Sequence, residues 1–151
     1  MVGNPLSHTD RLGLATDEEI RKAVATLRCA NPGDFNKLAN SITMADMGNA
    51  APAVTDWRNN IRLNSRDYGN SNTPVNEYAV DSFLQSLAHE MLHVNEGVGA
   101  RLLSNSFRMS YPLGYFHRQL DANAEAMITP SLIRQFRDAM NNGDAGCACS
   151  R

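Results

Sequence analysis

His89-Glu90-Met91-Leu92-His93 sets two of the chain's four histidines four residues apart, with a glutamate directly after the first. On a helix, residues four apart lie on one face, so the two imidazoles meet a turn apart and Glu90 stands beside the gap between them. Imidazoles at that spacing suit zinc, and a carboxylate next to them can take a proton from a water that the ion activates. The residue types therefore predict Zn2+ as cofactor and His89 and His93 as metal ligands. Glu90 is expected to be a general base that later returns its proton to a leaving amine. A glutamate in that position has no task if the histidines merely pack.

A catalytic zinc takes three protein ligands and keeps a fourth position for water, so one ligand must come from elsewhere in the chain. The stretch Tyr115 to Met127 is the best source: His117, Asp121 and Glu125 follow at i, i+4 and i+8 and would line one side of a second helix. All three can bind zinc. Spacing alone leaves the choice among them open. A developing oxyanion also needs a donor. Tyr111, Tyr115, His117 and Arg118 cluster just upstream, and Tyr115 and His117 are the candidates for that role.

These groups need elements to hold them. From Tyr78 to Val94 no Gly or Pro intervenes, and Val80, Phe83, Leu84, Leu87, Met91 and Val94 recur at helical spacing, which predicts a helix with one buried stripe. Ser82, Ser86, His89 and His93 fall on a separate polar strip. Thr16-Asp-Glu-Glu19 starts a helix to about Cys29 with Ile20, Val24 and Leu27 inward, and Asn31-Pro-Gly33 breaks the chain. A shorter helix is expected over Asp34–Ile42. In the segment 57–65, Ile61 and Leu63 alternate with Arg62 and Asn64, which reads as a half-buried edge strand able to take an extended peptide beside it, or as a core strand without a substrate role. Asp67 to Pro74 reads as a polar loop. Thr129-Pro130 opens a last helix with Leu132, Ile133, Phe136 and Met140 inward. The sum is an α+β domain, mostly helical, with a small sheet.

Net charge −2 and a pI near 6.0 give no basic footprint, so a nucleic-acid partner is not expected. No run of apolar residues is long enough to cross a bilayer, and the N-terminus lacks the charged and apolar parts of a signal peptide, so no membrane partner is expected and export would be inherited from a larger parent. Of the three cysteines, Cys29 reads as a small buried hydrophobe, while Cys147 and Cys149 sit in a Gly-containing tail.

Two resemblances add expectations. HEMLH followed by Asp121-Ala-Asn-Ala-Glu125 resembles the gluzincin arrangement. In that arrangement a second helix carries a ligand carboxylate, a small residue at i+3 and, at i+4, a carboxylate that braces a ligand histidine. Asp121, Ala124 and Glu125 stand in those places, with aspartate and glutamate exchanged relative to the usual pattern; an aspartate ligand resembles the aspzincin branch in that respect alone. The resemblance implies Asp121 as the favoured third ligand, with Glu125 and His117 as alternatives, and whichever of the two carboxylates is not on the metal would fix a histidine tautomer through its distal ring nitrogen. Residues 4–15 resemble the junction PxxxxDPxGL that ends the core of Rhs/YD-repeat proteins. Pro5, Asp10, Gly13 and Leu14 match, and Arg11 stands where the pattern has proline. The resemblance implies a junction over 1–15, a zincin-like metallopeptidase toxin domain over 16–140 and a flexible tail over 141–151. It implies a secreted Rhs-family effector, released from its parent shell, delivered into the cytoplasm of a target cell and matched by a cognate immunity protein. The expected substrate is a protein or peptide. The alternatives are a zinc hydrolase acting on another amide, such as a cell-wall amide, and a non-catalytic binding module.

Overall fold

The computed structural model describes residues 17–49, 51–68, 77–96 and 114–142, with side chains at all of these except 77–79, 114–117 and 142. In chain order the elements are α1 (Asp17–Ala30), β1 (Ser41–Ala45), β2 (Ala53–Thr55), β3 (Asn60–Asn64), the single turn α2 (Ser65–Tyr68), α3 (Glu77–Asn95), α4 (Gly114–Met127) and α5 (Pro130–Asn142). The architecture is α+β and helix-rich, as expected.

The central helix is α3. Val80, Phe83, Leu84, Leu87, Met91 and Val94 are all buried, so the apolar stripe legible in the sequence is the one the fold uses. Each such side chain taken from water contributes about 1.5–3 kcal/mol, enough to hold a helix that crosses the middle of the domain. α4 packs along α3 through the fully buried Ala124, whose small side chain lets the two backbones approach. On another side, α5 packs on α1. There the Lys22 ammonium is buried, and it donates to the Ala139 carbonyl at 2.9 Å and pairs with Glu18 at 3.1 Å, so the buried charge has partners. α5 starts as its sequence predicts: Thr129 Oγ1 accepts the Leu132 N–H at 3.1 Å, and Pro130 occupies the first helical position.

The sheet has the order β1-β3-β2, with β1 parallel and β2 antiparallel to β3. Ile61 and Leu63 are fully buried and Arg62 is exposed, so the alternation read from the sequence holds over 61–63; it fails at Asn64, which is fully buried. The edge-strand reading of this segment does not hold. β3 has a strand on each side and no free edge to offer a peptide; the edges of the described sheet are β1 and β2. The turn between β2 and β3 is tied by Asp56, which accepts the N–H of Asn60 at 3.0 Å and that of Arg58 at 2.8 Å, while Asn59 takes a left-handed φ of 65°. The Asn60 N–H, chief among these contacts, holds the Asp56 carboxyl below its ordinary range.

Three further expectations need correction. No helix forms over 34–42. Phe35 is driven into the core, Asn95 at the end of α3 clamps the Lys37 backbone by accepting its N–H at 2.7 Å and donating to its carbonyl at 3.1 Å, and β1 starts at Ser41. The stretch 67–74 opens inside a helical turn, because Tyr68 of α2 is buried with its hydroxyl against Ser86; residues 69–74 lie outside the described residues. Cys29 is half-buried and disulfide-bonded rather than a free core thiol; its partner is outside the described residues, as are the 1–15 junction and most of the 141–151 tail.

The link between β1 and β2 depends on one side chain. Asn64 is fully buried, its amide nitrogen donates to the carbonyls of Gly48 (3.1 Å) and Ala51 (3.4 Å), and its oxygen accepts from the N–H groups of Met47 and Arg66, both at 3.2 Å. Asn64→Ala strands these backbone groups in a dry site. We expect a loss of stability on the order of 2–3 kcal/mol, read as a lowered urea midpoint with an unchanged m-value.

Candidate metal centre

His89, Glu90 and His93 sit together on the side of α3 that faces β2 and α4, and all three are buried. Their ligand atoms lie within 4.8 Å of one another, so the group could hold a metal ion. The two imidazoles turn the same edge toward each other: Nε2 of His89 is 3.0 Å from Nε2 of His93, with the rings inclined at 75°. Two nitrogens bound at about 2.0–2.1 Å to one tetrahedral ion stand about 3.3 Å apart, so the spacing needs only a small adjustment to become a chelate.

The far sides of both rings face carboxylates. Glu96 Oε2 lies 2.9 Å from Nδ1 of His93, and Asp121 Oδ1 lies 2.9 Å from Nδ1 of His89. A carboxylate at that distance favours a proton on Nδ1, which leaves the lone pair on Nε2; at His93 the contact has hydrogen-bond geometry, whereas Asp121 acts on His89 by charge, without an aligned hydrogen bond. With that tautomer on both rings, two lone pairs point at each other across 3.0 Å in a buried site. Such a pair repels unless a proton or a cation lies between, so the donor set fits a divalent ion held by neutral imidazoles.

Glu90 is fixed from the sheet. Thr55, the last residue of β2, donates its hydroxyl to Glu90 Oε2 at 2.5 Å, and the same oxygen is 3.2 Å from the Glu90 backbone carbonyl. The other carboxylate oxygen, Oε1, is 4.0 Å from Nε2 of His89.

A cavity of about 340 Å³ opens on this group, lined by Ala51 to Ala53 on the β2 side, by Ser82, Gln85, Ser86, His89 and Glu90 on α3, and by Asp121 on α4. Ser82, Ser86 and His89 of the polar strip legible on α3 thus lie along one wall of a cavity, with His93 buried behind them. Ser86 is held by the Tyr68 hydroxyl at 2.5 Å. The volume is at the low end of the range for small-molecule and peptide-side-chain sites.

The fold brings His89, Glu90, His93 and Asp121 together. Asp121 reaches the distal nitrogen of His89, the place reserved in the sequence reading for the carboxylate that is not on the metal. Glu125, a turn further along α4, is exposed and stands outside the metal-competent group. Arg118 is exposed as well. Tyr115 and His117 lie on the first turn of α4, where the backbone is helical and the side chains are outside those described, and Tyr111 lies outside the described residues altogether. Two residues escaped the sequence reading. Glu96 had a signal, since i, i+3 from His93 places it on the same helix face. Thr55 had none, because its partner is 35 residues away and its strand has three residues. Comparison with known proteins finds no matching family model, no matching curated protein and no matching solved structure.

Proposed function

We propose that this chain is a zinc-dependent metallopeptidase, the toxin portion of a secreted Rhs-type effector that cleaves proteins in a target cell. One observation carries the metal reading: the Nε2 atoms of His89 and His93 converge at 3.0 Å while both Nδ1 atoms face carboxylates. A buried glutamate beside that pair, held through Oε2 by the Thr55 hydroxyl, supports hydrolysis over a structural ion.

His89 and His93 would hold the ion through Nε2. The third ligand we assign to His117. Asp121 Oδ1 stands 2.9 Å from the distal nitrogen of His89, the position of a brace, Glu125 is exposed, and His117 precedes Asp121 by one helical turn on the same face of α4. Zinc held this way supplies an acidified water and polarises a substrate carbonyl. Glu90 takes the proton from the attacking water on Oε1, holds it close to the scissile bond, and gives it to the departing amine nitrogen. The buried walls around Glu90 keep bulk water from intercepting that proton. Tyr115 remains the candidate donor to the oxyanion.

The peptide reading is supported by β2. It is one of the two edge strands of the described sheet and borders the cavity through Ala53, so an extended chain could pair with it and bring a peptide bond to Glu90. The short side chains of Ala51 and Ala53 leave room for that chain. The toxin setting rests on the Rhs-like residues 4–15, and the absence of a basic footprint supports a protein target over nucleic acid.

The test is metal content and proteolysis on one preparation. Protein purified without chelator is expected to carry one equivalent of zinc and to degrade fluorescein-labelled casein. Treatment with 1,10-phenanthroline should abolish cleavage, and added zinc should restore it. Wild type that binds no zinc sinks the metal reading; zinc-loaded protein that leaves casein and a mixed-protein digest intact, yet releases amine from cell-wall peptidoglycan, makes it an amidase.

A further inference from the structure

We propose that Thr55 is a positioning residue for the reaction: its hydroxyl pins Glu90 Oε2, so that Oε1 alone faces the histidine pair and carries the proton. This rests on the metallopeptidase reading. In β2 the side chains of Ala53 and Thr55 are buried and that of Val54 is half-exposed, so strand alternation turns Thr55 inward onto α3. A β-branched side chain has few χ1 choices, which holds Oγ1 where the strand puts it. The terminal torsion of a glutamate is broad and nearly two-fold, and an unanchored Glu90 carboxylate would exchange its oxygens and swing. The Thr55 hydroxyl has one proton to give. Between the carboxylate oxygen at 2.5 Å and the carbonyl at 3.2 Å it goes to the carboxylate, where the bond is charge-assisted. Oε1, at 4.0 Å from Nε2 of His89, then keeps one orientation through both proton transfers: water to Oε1, then Oε1 to the amine nitrogen. A small edge strand at the cavity mouth thus sets the base as well as bordering the substrate path, so strand and base move together.

The test uses Thr55→Val, which keeps the shape and removes the donor, and Thr55→Ser, which keeps the donor. Each zinc-loaded protein is measured for metal content, for casein kcat and KM, and for affinity toward acetohydroxamic acid, a chelator whose acidic proton would pass to Glu90. For Thr55→Val we expect one zinc per chain, KM within about twofold, kcat lower by about 10–100-fold and acetohydroxamate binding weakened by a similar factor, the range for one hydrogen bond to a charged group. Thr55→Ser should recover most of both losses. A Thr55→Val enzyme with wild-type kcat overturns the assignment, as does a loss that appears in KM alone or one that Thr55→Ser does not restore. Wild type without zinc overturns the metallopeptidase reading, and this one with it.

Discussion

Glu90→Gln is expected to keep its full equivalent of zinc and to lower the rate of casein cleavage by about 10²–10⁴-fold, the usual contribution of a positioned general base. The replacement is nearly isosteric, and the Thr55 hydroxyl can donate to the amide oxygen as it does to Oε2, so the buried contact at 2.5 Å survives in weaker form. What is lost is the capacity of the other terminal atom to accept a proton. Stability is expected to change little, because the substitution removes a buried charge and keeps its hydrogen bond. Elemental analysis and steady-state kinetics on one preparation separate the possibilities. Zinc lost along with activity would make Glu90 a ligand, and activity retained with zinc bound would make the ion structural. If the chain is a toxin, expression of Glu90→Gln in a susceptible cell is tolerated where the parent is not.

The centre was readable in the sequence wherever it is local. His89, Glu90 and His93 lie within five residues of one helix, and helical periodicity alone fixes which of them share a face. The α3 stripe and the Thr129-Pro130 start of α5 were readable for the same reason, since one periodic rule or one cap determines them. What the sequence hid is contact across distance. The strand β2 has three residues and β1 five, too short for alternation to stand out, and both exist because β3 and the core give them partners. The helix expected over 34–42 yields to Asn95, which presents an amide to the Lys37 backbone from 58 residues away. Asp121 was readable as a site residue, but the atom it touches was not. Spacing places it near the site, and only the packing of α4 on α3 brings its Oδ1 to the distal nitrogen of His89.

On the proposed reading that contact divides ligands from supports, and it makes a graded prediction. His93→Ala and His117→Ala each remove a proposed ligand, and each is expected to lose stoichiometric zinc. Asp121→Ala and Glu96→Ala remove a brace, and each is expected to keep zinc with affinity weakened by about 10–100-fold. The braces should rank. The Glu96 side chain is 13% exposed and that of Asp121 is 56% exposed, so water can replace Asp121 at Nδ1 more readily than it can replace Glu96. Glu96→Ala therefore falls toward the larger end of the range, and Glu125→Ala, exposed and away from the histidines, binds as wild type does. Competition with a fluorescent zinc chelator gives the affinities directly. Complete zinc loss in Asp121→Ala with retention in His117→Ala would return Asp121 to the metal and require its carboxylate to leave His89 when the ion binds. Retention in both would move the third ligand off α4. If His117 completes the set, three imidazoles and no carboxylate would leave a bound ion its full positive charge, which would favour ionisation of its water more than a His₂-carboxylate set does. The Asp121 and Glu96 carboxylates would then offset that charge through the rings they face, without binding the metal.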